Sequence, residues 1–137
     1  MLNEEKNKKY IEEFKAQLVA DELGTKEIKK YMSCVSGYIV FFLGERLNKS
    51  MVEGVEKDFL NQYFGDYFIN KTSWSSPEAI AVCLACLDRF YKVMVEKGHM
   101  TNDKYDEFSI NVVDNREHWI EICKSIKSGN IKEFFGS

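Results

Sequence analysis

A single proline, Pro77, in 137 residues leaves long stretches with nothing to interrupt a helix. Cysteine is sparse too. The four cysteines, at 34, 83, 86 and 123, fall inside apolar helical patterns rather than turn-rich loops, which excludes a disulfide scaffold and reads as reduced, structural thiols. No uninterrupted apolar run reaches about 18 residues, and the opening MLNEEKNKKY is charged with no apolar run behind it, so neither a membrane span nor a secretory leader is expected. A cytoplasmic location follows as the expectation. Positive charge is not in excess: the net charge is −3, which argues against strong non-specific nucleic-acid binding, an affinity that comes from phosphates neutralised by Lys and Arg. Residues 1–30 hold seven basic and seven acidic side chains, whereas 101–137 hold five and seven, so the acidity sits toward the end.

Apolar residues make up 45% of the chain, enough for one core, and the length suits one domain rather than two. Helical periodicity dominates and no segment alternates with period two long enough for a strand. An all-α protein is expected. Helix one should run from about Asn3 to Asp21 on a narrow stripe of Ile11, Phe14 and Leu18, and is read as peripheral. Leu23-Gly24-Thr25 breaks it, with Thr25 capping helix two, about Lys26 to Leu47, where Ile28, Tyr31, Met32, Val35, Ile39 and Phe42 recur at three- and four-residue steps. Helix three, about Val52 to Asn70, carries a wide aromatic face.

The stretch TSWSSPEAIAVCLACLDRFYKVMVEKG, Thr72 to Gly98, writes helix four from start to stop. Ser75 or Ser76 can cap it, Pro77 suits its first position, Glu78 complements the dipole and Gly98 closes it. Ala79 to Leu87 is apolar without a break, so protein should surround this helix on most sides, leaving Asp88, Arg89, Lys92 and Glu96 outward. Beyond Gly98 a fifth helix should start at Thr101 or Asn102 and end near Val112. An Asp114–Glu117 capping box then offers a sixth, ended by Gly129.

Chemistry-bearing motifs are few. Cys83-Leu84-Ala85-Cys86 has the spacing of a thiolate pair, yet it lies in mid-helix among apolar residues, which raises thiol pKa, and no further ligand has companion spacing. Core packing is the expected role. His99 reads as a solvated loop residue and His118 as a helix surface residue; neither accompanies a nucleophile motif, and no Gly-rich phosphate loop exists. No catalytic residue, metal or cofactor is expected. Lys26, Lys29 and Lys30 open helix two on the side away from its apolar stripe. Arg89 and Lys92 lie at i and i+3 on helix four, behind a Lys71–Ser76 loop whose hydroxyls, Ser73, Ser75 and Ser76, adjoin a helix N-terminus.

The order of these features resembles the N-terminal core-binding domain of tyrosine recombinases and phage integrases. TKEIKKYMSCVSGYIVFFL is similar to that domain's helix of a Thr or Ser start, a following Tyr and an aromatic-rich end; SWSSPEAIAVCLACLDRFYKVMVEKG is similar to its last helix, with a Phe-Tyr pair, a short apolar run and a Gly. The resemblance covers roughly Glu12 to Met100. It implies a SAM-like four-helix orthogonal bundle over residues 1–100, here with a two-helix C-terminal extension, 101–137, packed on the same domain. It also implies duplex DNA as the partner, held weakly by Lys26, Lys29, Lys30, Lys71, Ser73, Ser75, Ser76, Arg89 and Lys92. The family's Arg, His-x-x-Arg and Tyr catalytic set is missing, so no recombinase activity is expected. The alternative is a protein–protein interaction module without DNA binding, consistent with the negative charge and an aromatic content of 14%. The tail residues Ile131, Phe134 and Phe135 should pack in cis near Trp119 and Ile122, giving a monomer or weak homodimer.

Overall fold

The computed structural model describes residues 2–72 and 74–136, with side chains described as far as Ile126. Helix α1 is Asn3–Ala20, and α2, Thr25–Ser36, runs on without interruption as a π-helical stretch, Gly37–Arg46. A 3-10 turn, Val52–Val55, leads into α3 (Lys57–Gln62), a second π-helical stretch (Tyr63–Tyr67) and α4 (Phe68–Lys71). Helix α5 is Pro77–Glu96 and α6 is Asn102–Gly136. No strand occurs among the described residues, and the chain is all-α as its periodicity predicts.

Helix α5 is the hub. It buries Ile80, Cys83, Leu87, Phe90 and Met94 among others and packs against α1, α2 and α6. The Ser76 hydroxyl accepts from the Ala79 amide at 3.0 Å with Pro77 at the first position, as the sequence predicts. Its C-terminus closes in a Schellman motif: Gly98, at φ +79°, donates to Val95 and His99 donates to Met94. Helix α1 ends in the same way with Glu22 in the left-handed position, φ 63°, as Glu22 donates to Val19 and Leu23 to Leu18.

One buried polar residue joins the first three elements. Asn7, fully enclosed, donates from Nδ2 to the carbonyls of Ile39 at 2.9 Å and Lys49 at 3.0 Å, while its Oδ1 accepts from the Met51 amide at 3.0 Å. Helix α1 comes this close because position 44 is glycine; a Cβ there would lie 3.2 Å from Cα of Glu4. With a side chain inserted at the Ile39 carbonyl, the backbone ladder widens from four-residue to five-residue steps, as in Leu47 donating to Phe42. Nearby, the buried hydroxyls of Tyr38 and Tyr91 donate to Gly54 and Met51 at 2.6 and 2.9 Å. These bonds pin the 3-10 turn to the core. Gly54 is obligatory there, since a Cβ would meet Leu43 at 2.5 Å and the Tyr91 hydroxyl at 2.7 Å.

Several expectations are corrected. The fifth and sixth helices are one: α6 passes through the predicted break at 113–114 and the predicted stop at Gly129. No Gly or Pro stands at 113–114 to break it, and the Asn115 side chain, in place of capping a new helix, donates from Nδ2 to the Asn111 carbonyl one turn back. Helix α6 seats Phe108, Trp119 and Cys123 in the same core as α5. Helix three starts later than expected: a 3-10 turn takes Val52–Val55, Glu56 turns extended at ψ 141°, and one helical run then continues through α3, the second π-helical stretch and α4. Thr25 makes no cap; Gly24 occupies that position. His99 is half-buried, its Nε2 3.0 Å from the Glu13 carboxylate and its ring 4.8 Å from that of Tyr10. The side chains of Ile131, Phe134 and Phe135, expected to pack near Trp119, lie outside the described residues.

Candidate interaction surface

The nine residues singled out for DNA contact fall in different settings. Lys26, Lys29 and Lys30 are exposed along α2 and form no ion pair among the described residues, although Lys30 Nζ lies 5.4 Å from the Tyr31 ring. Arg89 reaches the α1–α2 side of α5: Nη2 donates to Asp21 at 3.1 Å, Nη1 donates to the Tyr31 hydroxyl at 3.3 Å, and the guanidinium sits 5.2 Å from that ring. Hydrogen bonds from Gln17 and then Arg89 hold the Asp21 carboxyl below its ordinary value. Lys92, one turn on, leans instead toward α6, pairing with Asp88 at 3.0 Å and lying 6.0 Å from the Tyr105 ring. Its pKa is raised chiefly by that bond to Asp88. Arg89 and Lys92 thus diverge, each beside a carboxylate.

The loop residues diverge as well. Lys71 is exposed and unpaired among the described residues. Ser73 lies outside the described residues. Ser75 is buried, its hydroxyl donating to the Ile69 carbonyl at 3.0 Å, and the Ser76 hydroxyl is committed to the α5 cap. The bonds of Ser75 fold the loop back on α4 and set Trp74 outward, 51% exposed, its ring edge-on to Phe68 at 5.1 Å. Covering that exposed half would remove about 100 Å² of apolar surface, worth about 2–3 kcal/mol.

Two grooves meet at Trp74 and Ser33. One, about 420 Å³, lies between α2 and α5 and is lined by Lys30, Cys34, Ala79 and Val82 as well. The other, about 380 Å³, runs along α2 to Phe41, Tyr67 and Lys71. The unbroken burial expected for Ala79–Leu87 fails here, since Val82 is 40% exposed and Ala85 is exposed. For Val82 the reason is local: α2 offers Ser33 beside it where a larger side chain would have closed over α5, whereas Ala85 faces α6 beside Phe108 and Ser109. Phe41, 53% exposed, ends the apolar track. Sequence reasoning passed over Trp74, Val82 and Phe41, whose only signal is a tryptophan among hydroxyl residues.

Cys34, which lines the first groove, and its hydrogen-bond partner Cys86 are quiet. Hydrogen bonding with Cys83 pushes Cys34 up to about 12, and hydrogen bonding to Cys34 followed by burial raises Cys86. Thiolate at neutral pH is therefore scarce, which suits a packing role. Among the described residues no group of His, Cys, Asp and Glu is arranged to hold a metal ion, and no helix is long and apolar enough to cross a membrane.

Comparison with known proteins finds no matching family model, no matching curated protein and no matching solved structure. Functional reasoning rests on this surface alone.

Proposed function

We propose that the chain is a non-catalytic helical module that binds another protein through the surface around Trp74. The observation that carries this is the pairing of a half-exposed tryptophan, set edge-on to Phe68, with exposed Val82 and Phe41 along two joined grooves. Aromatic side chains held outward at a concave apolar site are typical anchors of protein interfaces. The cationic alternative is weaker on geometry. Asp21 and Asp88 interrupt any path from Lys30 through Arg89 to Lys92, and Ser75 and Ser76 are already engaged.

Duplex DNA stays as the second reading because Lys26 and Lys29 are exposed and unpaired among the described residues, in keeping with the resemblance to recombinase core-binding domains. A photo-crosslinking residue in place of Val82, activated in cells of the source organism, separates the two. An adduct that protease digests and nuclease spares supports the proposal. A nuclease-sensitive adduct, or no adduct, overturns it.

A further inference from the structure

We infer that the joined grooves accept an amphipathic helical segment of a partner protein, about three turns long, with apolar anchors on one face and carboxylates toward its ends. This rests on the interaction-module reading above. Length comes from α2 itself: Lys30, Ser33, Gly37 and Phe41 follow one another on one face at helical steps, and Lys30 to Phe41 spans about 16 Å. Ser33, small and exposed in the middle of that face, leaves room for a second helix to approach; the space beside Gly37 is taken by the Tyr63 hydroxyl, and Trp74 flanks the gap.

Helical form follows from the walls. Both grooves run between helices, and no strand edge exists among the described residues to pair with an extended peptide. A segment lying there must satisfy its own backbone hydrogen bonds. Sign follows from the lining. No carboxylate lines either groove, whereas Lys30 stands in one and Lys71 in the other, neither held by an ion pair among the described residues. Cations at the two ends of an apolar track complement carboxylates at the two ends of an apolar helix. A single-stranded nucleic acid could stack on Trp74, but two lysines neutralise too few phosphates to hold a strand.

The test is a titration of the full chain with two synthetic helical peptides of identical leucine and phenylalanine spacing, one flanked by glutamates and one by lysines, with oligo-dT as a third ligand. Trp74 emission is the signal; Trp119, buried and donating to Asn61 at 2.7 Å, is a constant background. The glutamate peptide is expected to give a saturable blue shift and to bind about tenfold more tightly than the lysine peptide. Lys30→Glu combined with Lys71→Glu should invert that order. Val82→Glu, which puts a charge on the apolar track and keeps the Trp74 signal, should abolish the saturable shift while leaving the helical circular dichroism intact. Equal binding of both peptides, no saturable shift, or tighter binding of oligo-dT overturns the inference. If the Val82 crosslink is to protein and the peptides show no charge preference, the acidic-helix inference fails and the interaction reading stands; without a protein adduct both fail.

Discussion

Replacing Asn7 with alanine removes three hydrogen bonds at once, the buried ones to Ile39 and Met51 and a part-buried one to Lys49. Each is worth about 1 kcal/mol net, and the Met51 amide, left without an acceptor in a fully buried residue, adds about 1–3 kcal/mol of desolvation. The expected loss is about 4–6 kcal/mol, a large share of the roughly 5–15 kcal/mol that holds a domain of this size. At about 3–5 °C per kcal/mol, Tm should fall by about 12–30 °C in a thermal melt followed by circular dichroism. Packing and hydrogen bonding are told apart by Asn7→Leu, which fills the volume but satisfies none of the three backbone groups. It should be nearly as damaging as alanine. A loss under about 1 kcal/mol for alanine, or rescue by leucine, would refute the role given to the amide. Lys8→Ala, one residue along on the exposed face, serves as the neutral control.

The two Schellman caps make a matched pair of expectations. Glu22→Gly should stabilise by about 0.5–1 kcal/mol because a left-handed backbone is strained for glutamate, and Gly98→Ala should destabilise by about 1 kcal/mol, both read by urea midpoints. Acid should reveal the Asp21 contact. Its folded pKa is depressed, so its contribution is present above the unfolded value and lost as pH falls through it; wild type should therefore lose more Tm between about pH 5 and pH 3 than Asp21→Asn does, and parallel curves would count against the contact.

Where a segment's structure depends on its own residues, the sequence was a sufficient guide. The Ile11–Phe14–Leu18 stripe, the Ser76–Pro77 start and the Gly98 stop of α5 are local signals, and each appears in place. What depends on a distant partner was hidden. Asn7 looks like any polar residue in a Lys- and Glu-rich helix until Ile39 and Met51 arrive 32 and 44 residues later, and with it the π-widening of Gly37–Arg46 was invisible. The same holds for the surface. Arg89 was legible as an outward cation, but its carboxylate partner stands 68 residues away. Val82 sat inside an apolar run that reads as core; its exposure comes from the small side chain of Ser33 on α2, which no property of α5 encodes.

Trp119 lies 58 residues from Asn61, the partner of its indole nitrogen, and its ring packs on Phe64 at 5.4 Å. During synthesis, α1 to α5 must wait for α6 to emerge beyond Cys123 before the pocket around Phe64 and Leu84 is covered. Until then the nascent bundle shows that apolar seam to the ribosome surface and to any chaperone nearby, and the arrival of α6 withdraws it.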